Sequence, residues 1–201
     1  MPNAEFTKRM IASGLKQLLE VTPFADVTVG DIAKHCKISR NTFYYHFKDK
    51  YDIISWIFYT EITPLIGDDI DIEHWSNGLL ALCQYMQENK KFYLNVLAFQ
   101  GQNSFSECLM DFYQNLAESL LCHAKDHNLL SQQQIRQMSR FYAHGLTGAV
   151  LDWARNGMRD NPEPTIHILE KMLTNHIIEQ ILETQKTPNS LNMFPKDTKE
   201  K

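Results

Sequence analysis

The sequence has few of the residues that interrupt helices or form covalent cross-links. Glycine (8) and proline (7) are scarce among 201 residues, and apolar residues recur at three- and four-residue spacing, which predicts an all-α protein. Cysteine is also scarce, and no CxxC pair is found among Cys36, Cys83, Cys108 and Cys122. This scatter argues against a disulfide framework and favours free thiols in a reducing cytosol.

Long hydrophobic runs are missing as well. No apolar stretch approaches the ~20 residues that a membrane-spanning helix needs. No cationic segment followed by an apolar stretch stands at the start, as a signal peptide would require. We therefore expect a cytoplasmic protein without a membrane partner, and the hydrophobic fraction of 43% is enough for a real core.

Motifs that carry catalysis or hold metals are absent too. The sequence contains no GxSxG, Walker loop, HExxH or paired-carboxylate pattern, so we expect neither an enzyme nor a cofactor. Cys122, His123 and His127 raise the possibility of zinc, because positions 123 and 127 share a helix face. That segment is polar and adjoins a turn, which favours a solvated face, and we expect no metal site.

Charge is distributed unevenly along the chain. Residues 1–52 hold eight Lys/Arg and six Asp/Glu, whereas residues 53–201 hold twelve and eighteen, within a formal net charge of −4. The first quarter of the chain is therefore able to face a polyanion while the remainder stays acidic.

A helix-turn-helix pattern lies in this first quarter. Thr28 has the residue type and position of a helix N-cap, with Asp31 three residues later. Ser39 can cap a second short helix, "RNTFYYHF", after the three-residue interruption "KIS", and Asp49 can cap a longer third helix. Two short helices joined by such a tight turn predict a DNA-binding domain over residues 1–48.

The second short helix has two chemically different faces. Phe43 and Phe47 are four residues apart and can pack inward, which leaves hydrogen-bonding side chains outside. Arginine can contact guanine and asparagine can pair with adenine, whereas hydroxyls and lysine suit phosphates. The predicted DNA-binding residues are Thr28, Ser39, Arg40, Asn41, Thr42, Tyr44, Tyr45, His46 and Lys50. The alternative is that this segment is an ordinary core helix.

The stretch "FTKRMIASGLKQLLEVTPFADVTVGDIAKHCKISRNTFYYHFKDKYDII" resembles the N-terminal domain of the TetR family of transcriptional regulators. "RNTFYYHFKDKYDIISWIF" and, more loosely, "GLTGAVLDWARNGMRDNP" are similar to the subgroup typified by the dihydroxyacetone kinase operon regulator. The resemblance implies a helical homodimer on a palindromic double-stranded operator, with a small-molecule pocket in the C-terminal domain. Lys37 departs from the pattern, because the family usually carries glycine in this turn.

The rest of the chain predicts a helical dimerisation and effector-binding domain over residues 49–185, followed by a disordered tail, residues 186–201. Small residues on one helix, Ala143, Gly145, Gly148 and Ala149, favour close approach to a symmetry mate, although a buried core helix would look similar. Most aromatic side chains are expected in the core, and a tentative effector pocket comprises Trp56, Phe99, Phe105, Phe112, Phe141 and His144. His144 also suits a satisfied core or interface position.

These observations predict a homodimeric, sequence-specific DNA-binding regulator controlled by an unknown small-molecule effector. A second hypothesis is a co-regulator or activator that acts with a partner effector-sensing protein, its own pocket being vestigial. A helical enzyme is the third alternative, and it would require turnover that survives loss of Arg40 and Tyr44.

Overall fold

The computed structural model describes residues 4–66, 75–99, 101, 103–125, 130–172 and 175. The predicted tail and the side chains of His123 and His127 lie outside this description. Every regular element in the described part is a helix, so the all-α prediction is confirmed. The helices are α1 (Ala4–Leu18), α2 (Val29–His35), α3 (Arg40–His46), α4 (Lys50–Glu61), α5 (Thr63–Ile66), α6 (Trp75–Glu88), α7 (Lys90–Leu97), α8 (Phe105–Lys125) and α9 (Gln132–Arg155), followed by α10 over residues 163–172.

The three predicted N-caps are confirmed. Thr28 forms a reciprocal capping box with Asp31 at the start of α2. The Ser39 hydroxyl accepts the Thr42 N–H at 3.0 Å, and the Asp49 carboxylate accepts two N–H groups of α4. Because each cap satisfies backbone donors that have no partner inside the helix, the boundaries of α2, α3 and α4 are set locally.

The turn between α2 and α3 contains a left-handed residue that is not glycine. Lys37 has φ 54°, and the Ile38 N–H returns to the Ala33 carbonyl at 2.9 Å. A side chain in this conformation costs roughly 1–2 kcal/mol. The chain therefore keeps the tight turn that its resemblance predicts, at some cost in stability, even though lysine replaces the usual glycine.

The core of the N-terminal helices is built from one buried face of each. Ile11 and Leu15 of α1, Ile32 of α2 and Phe43 of α3 are all fully buried, and Phe47 is only 2% exposed. The two phenylalanines therefore anchor α3 as predicted. They belong to one cluster of buried side chains that continues through α4 into the C-terminal helices.

Helix α4 joins the two halves, packing against both α1 and α8. At its end, the Glu61 carboxylate accepts the Lys16 ammonium at 2.5 Å and also the Tyr85 hydroxyl. Pro64 lies in the short helix α5, since proline is tolerated in a first helical turn. The domain boundary at residues 48 and 49 stays a prediction.

Candidate DNA-binding site

Helix α3 presents a polar and aromatic face to solvent. Tyr44 is 57% and Tyr45 82% exposed, and Arg40 and Asn41 are also exposed, whereas Thr42 and His46 are half-buried. The Tyr45 and His46 rings meet edge to face with centroids 5.0 Å apart. Contiguous exposed aromatic surface marks interaction sites, and Tyr44 and Tyr45 are adjacent in sequence, so this face has the character of a contact surface.

The Arg40 side chain lies against the first turn of α2. A Cβ placed on Gly30 would be 2.7 Å from its Nη2 atom, so the absence of a side chain at Gly30 makes room for the guanidinium. The Arg40 side chain thus extends from the start of α3 to the start of α2. The sequence gives no signal for this contact, because it depends on how the two helices cross.

Thr28 and Ser39 use their hydroxyls within the protein. Thr28 Oγ1 donates to the Asp31 carboxylate at 2.6 Å, and the Thr28 N–H donates to the same oxygen at 2.9 Å. This bonding lowers the pKa of the Asp31 carboxyl. Both groups expected to meet a phosphate at Thr28 are therefore occupied in this structure, and the residue acts as a helix cap.

Lys50 likewise has internal partners in place of the predicted phosphate. Its ammonium donates to the backbone carbonyls of Phe24, Ala25 and Val27 at 2.6, 3.1 and 2.8 Å. An ammonium has three N–H donors, and all are used here. Burial lowers the pKa of this ammonium. In this structure Lys50 therefore holds the segment before α2, and its contact with phosphate stays a prediction.

Replacement of Lys50 separates these two roles. Lys50→Ala is expected to raise the Kd for operator DNA at every salt concentration. The variant loses about 1.5–3 kcal/mol of charged hydrogen bonding that holds the segment before α2, so α2 and α3 are less firmly placed for binding. The slope of log K against log salt should not change, since no phosphate contact disappears. Lys48→Ala, at an exposed neighbour, controls for the lost charge. A slope that flattens by about 1 per protomer would restore Lys50 as a phosphate contact.

The six residues of the tentative effector pocket do not come together. Buried Phe105 and half-buried Phe112 both pack against the Phe58 ring. Phe99 is half-buried and packs against Phe24. Trp56 packs on Phe47. Phe141 is 71% exposed, and His144 is exposed on the same helix. These six side chains therefore do not line one pocket in this structure, because the helices turn them in different directions, and the effector site stays a prediction.

A concave site does occur elsewhere in the C-terminal helices. A partly open cavity of about 280 Å³ lies between α6, α9 and α10, and its lining includes Leu79, Cys83, Val150, Trp153 and Ile166. The Trp153 indole N–H donates to the Asp160 carbonyl at 2.9 Å and fixes the loop at the cavity edge. Its mainly apolar wall suits a small apolar molecule.

The described residues contain no group of three or more His, Cys, Asp or Glu placed to hold a metal ion. None of the helices in the described ranges combines the length and apolar character needed to cross a bilayer.

Two glycines on one face of α9 have open space beside them. A Cβ added at Gly145 or Gly148 would meet no described atom within 4 Å apart from the neighbouring backbone of its own helix, and Phe141 lies on the same face because positions 141, 145 and 148 share one side of a helix. Ala143, predicted to join this face, is instead fully buried. The small-residue face is therefore narrower than the sequence predicts.

Two family models match the chain. Residues 11–55 match the model described as "Bacterial regulatory proteins, tetR family", and residues 73–175 match TetR_C_8, "Transcriptional regulator C-terminal region". The first contains α2 and α3, and the second contains α6 to α9.

Among individual proteins, the chain is 31% identical over 121 residues to the HTH-type dhaKLM operon transcriptional activator DhaS of Lactococcus lactis. That match covers 60% of this chain and 64% of the relative, which is just under two thirds of its length.

Solved structures show the same fold. The dihydroxyacetone kinase operon activator DhaS aligns at TM-score 0.58 with 24% identity, over 89% of this chain and 98% of that one. The fatty acid degradation regulator FadR from Bacillus halodurans aligns at TM-score 0.56 with 17% identity, over 83% and 94%.

Proposed function

We propose, because this chain belongs to the TetR family of transcriptional regulators, that it binds a palindromic operator as a homodimer and that a molecular signal alters this binding. The observation that carries the proposal is the division of α3 into two faces. Phe43 and Phe47 are buried, whereas Arg40, Asn41 and Tyr45 are exposed. In a helix-turn-helix the second helix enters the major groove, where side chains near its N-terminus reach base edges.

Within this surface we propose distinct roles. Arg40 and Asn41, in the first turn of α3, are placed to read bases, because their side chains offer paired hydrogen bonds. The exposed phenols of Tyr44 and Tyr45 suit phosphate oxygens or the base edges beside them. Thr42 and His46 are half-buried and lie at the edges of the contact surface.

The outward face of α9 is the proposed dimer contact. Gly145 and Gly148 leave space in which a second helix can approach closely, and Phe141 supplies an exposed apolar ring on the same face. An isologous contact of this kind repeats across a two-fold axis. The two heads, which are the N-terminal DNA-binding helices of the two protomers, would then meet half-sites about 34–36 Å apart, or a multiple of that distance.

Gly148→Leu tests this contact. The side chain has room in the isolated protomer, and leucine is the better helix former by about 0.5–1 kcal/mol, so the fold should be retained. We expect the variant to dissociate into protomers by light scattering and to lose operator affinity. Gln84→Leu, at an exposed position of α6, is the matched control. A variant that remains dimeric with unchanged DNA binding would exclude this face.

A second candidate concerns the source of the signal. The L. lactis relative is named an activator, and the residues of the predicted aromatic pocket are divided between the core and the surface. These observations favour an alternative in which a partner effector-sensing protein, and not a small molecule bound by this chain, supplies the signal. If a small molecule bound by this chain supplies the signal instead, the apolar cavity between α6, α9 and α10 is its candidate site.

One experiment distinguishes the two. The purified chain is titrated with operator DNA, first alone and then with metabolite pools from the source cell. Binding that metabolites alter supports an effector site in this chain. Binding that responds only after a protein fraction is added supports the partner. A chain that binds no DNA fragment specifically would overturn the proposed regulator function itself.

A further inference from the structure

The segment that joins α1 to α2 is held by a side chain from the C-terminal half. The amide nitrogen of Asn95, on α7, donates to the carbonyls of Leu19 and Thr22, both at 2.9 Å. Its amide oxygen accepts the Phe24 N–H at 2.7 Å. One side chain therefore satisfies three backbone groups in the turn that follows α1, where carbonyls lack helical partners.

Asn95 belongs to a stripe on α7 that faces the N-terminal helices. Phe92 lies three residues before it on the same side of the helix, and Phe99 lies four residues after it, just beyond the end of α7. The Lys16 ammonium lies 5.6 Å from the Phe92 ring centroid, and the Phe99 ring meets Phe24 at 5.8 Å and Tyr51 at 5.3 Å. Two residues of α7 and one residue just beyond its end thus contact the N-terminal helices and the segment that joins α1 to α2.

An adjoining face of α7 is buried in the C-terminal core. Tyr93 is 1% exposed and Val96 fully buried, and the Tyr93 ring lies 5.6 Å from that of Phe105 on α8. One face of α7 is fixed in this core, and Asn95 on the adjoining face forms hydrogen bonds with residues 19–24. The position of α7 and the position of the segment that joins α1 to α2 therefore depend on each other.

The held segment leads directly into the proposed DNA-binding surface. Lys50 binds the carbonyls of Phe24, Ala25 and Val27 from the α4 side, and the next residue, Thr28, caps α2. Arg40 then rests on Gly30 in the first turn of α2. A displacement of residues 22–27 would therefore move α2, and with it the side chain proposed to read bases.

We propose that Asn95, supported by Phe99, is a positioning residue for DNA recognition, although it lies in the C-terminal half and touches no residue of α3. Its three hydrogen bonds set the placement of α2 and α3 relative to the dimerising helices. This inference rests on the proposed function, because fixed placement of two heads matters only when a dimer must match two half-sites at once.

Operator binding distinguishes positioning from mere stabilisation. Asn95→Ala removes all three hydrogen bonds, and Asn95→Asp keeps an acceptor for the Phe24 N–H while losing both donations. Asn77→Ala, at an exposed position of α6, is the control. Kd values are measured for an operator selected from genomic DNA, and for versions with one base pair added or removed between half-sites, at a temperature where thermal melts show every variant fully folded.

We expect Asn95→Ala and Asn95→Asp to raise the operator Kd at least tenfold and to discriminate less between spacings than the original chain. Asn77→Ala should change neither value. A purely stabilising role predicts an unchanged Kd and spacing preference once folding is complete, and that result would overturn the inference.

If the Asn95 variants fail to fold, Phe99→Leu provides the test, because it keeps the amide bonds and removes the ring contacts with Phe24 and Tyr51. Unchanged affinity and spacing preference in Phe99→Leu would then overturn the inference. Failure of the original chain to bind any selected fragment is a different result, which overturns the proposed function on which the inference rests.

Discussion

Phe47→Ala is expected to lower the free energy of unfolding by about 3–5 kcal/mol, because it removes a large buried ring and leaves a cavity. Phe47 is 2% exposed, and its ring lies 5.9 Å from that of Trp56 on α4 and 6.2 Å from that of Phe43. The ring therefore fixes the end of α3 to α4. DNA binding should be lost in this variant only because the fold is lost.

Chemical denaturation with paired operator titrations measures both effects. Phe6→Ala, at a residue that is 64% exposed on α1, is the matched control and should change stability by no more than about 0.5 kcal/mol. If Phe47→Ala instead kept its stability and lost operator discrimination, the two faces of α3 would be reversed.

Asn41→Ala is expected to have the opposite effects, which are unchanged stability and a loss of operator discrimination. Asn41 is exposed in the first turn of α3, where alanine is a better helix former, so the melting temperature should stay nearly constant. The loss of a paired hydrogen bond to adenine should cost ~1–3 kcal/mol of discrimination per half-site. That is roughly 5- to 150-fold in the ratio of affinities for the operator and an altered operator.

The measurement compares Kd values for the operator and for a version with substituted half-site bases. Asn77→Ala makes the same chemical change at an exposed position of α6 and should leave the ratio unchanged. A Kd that rises equally for both DNA sequences would show that Asn41 contacts only the backbone. An unchanged ratio and unchanged affinity would remove it from the interface.

The parts of this fold that depend on neighbouring residues were predictable from the sequence. Thr28, Ser39 and Asp49 cap their helices as expected, because capping requires only a suitable side chain within a few residues of the backbone it satisfies. Phe43 and Phe47 are buried for a similar reason, since helical periodicity places both on one side.

Contacts between distant segments were not predictable in this way. Lys50 meets carbonyls 23 to 26 residues earlier, and Asn95 meets groups 71 to 76 residues earlier. Neither residue type indicates its partner, because a lysine beside a DNA-reading helix suggests a phosphate equally well. The grouping of aromatic side chains into one pocket was not predictable for the same reason, since a phenylalanine in a helix can face a cavity, the core or solvent.

The separate roles proposed for Arg40, Asn41 and the two tyrosines are predictions about the complex with operator DNA. They follow from the exposure of these side chains and from the position of α3, which lies within residues 11–55, the part of the chain that matches the tetR-family model. Individual contacts depend on how deeply α3 enters the groove, and the spacing between heads depends on the proposed α9 contact.

Selection of bound fragments from genomic DNA by the purified full chain tests the central claim most directly. The account predicts enrichment of fragments that share one inverted repeat, with half-site centres about 10–10.5 base pairs apart or a multiple of that. The same selection with a combined Arg40→Ala and Asn41→Ala variant should not enrich that repeat. Fragments without a common sequence, or the same repeat recovered by the variant, would contradict the assignment of α3 as the recognition helix.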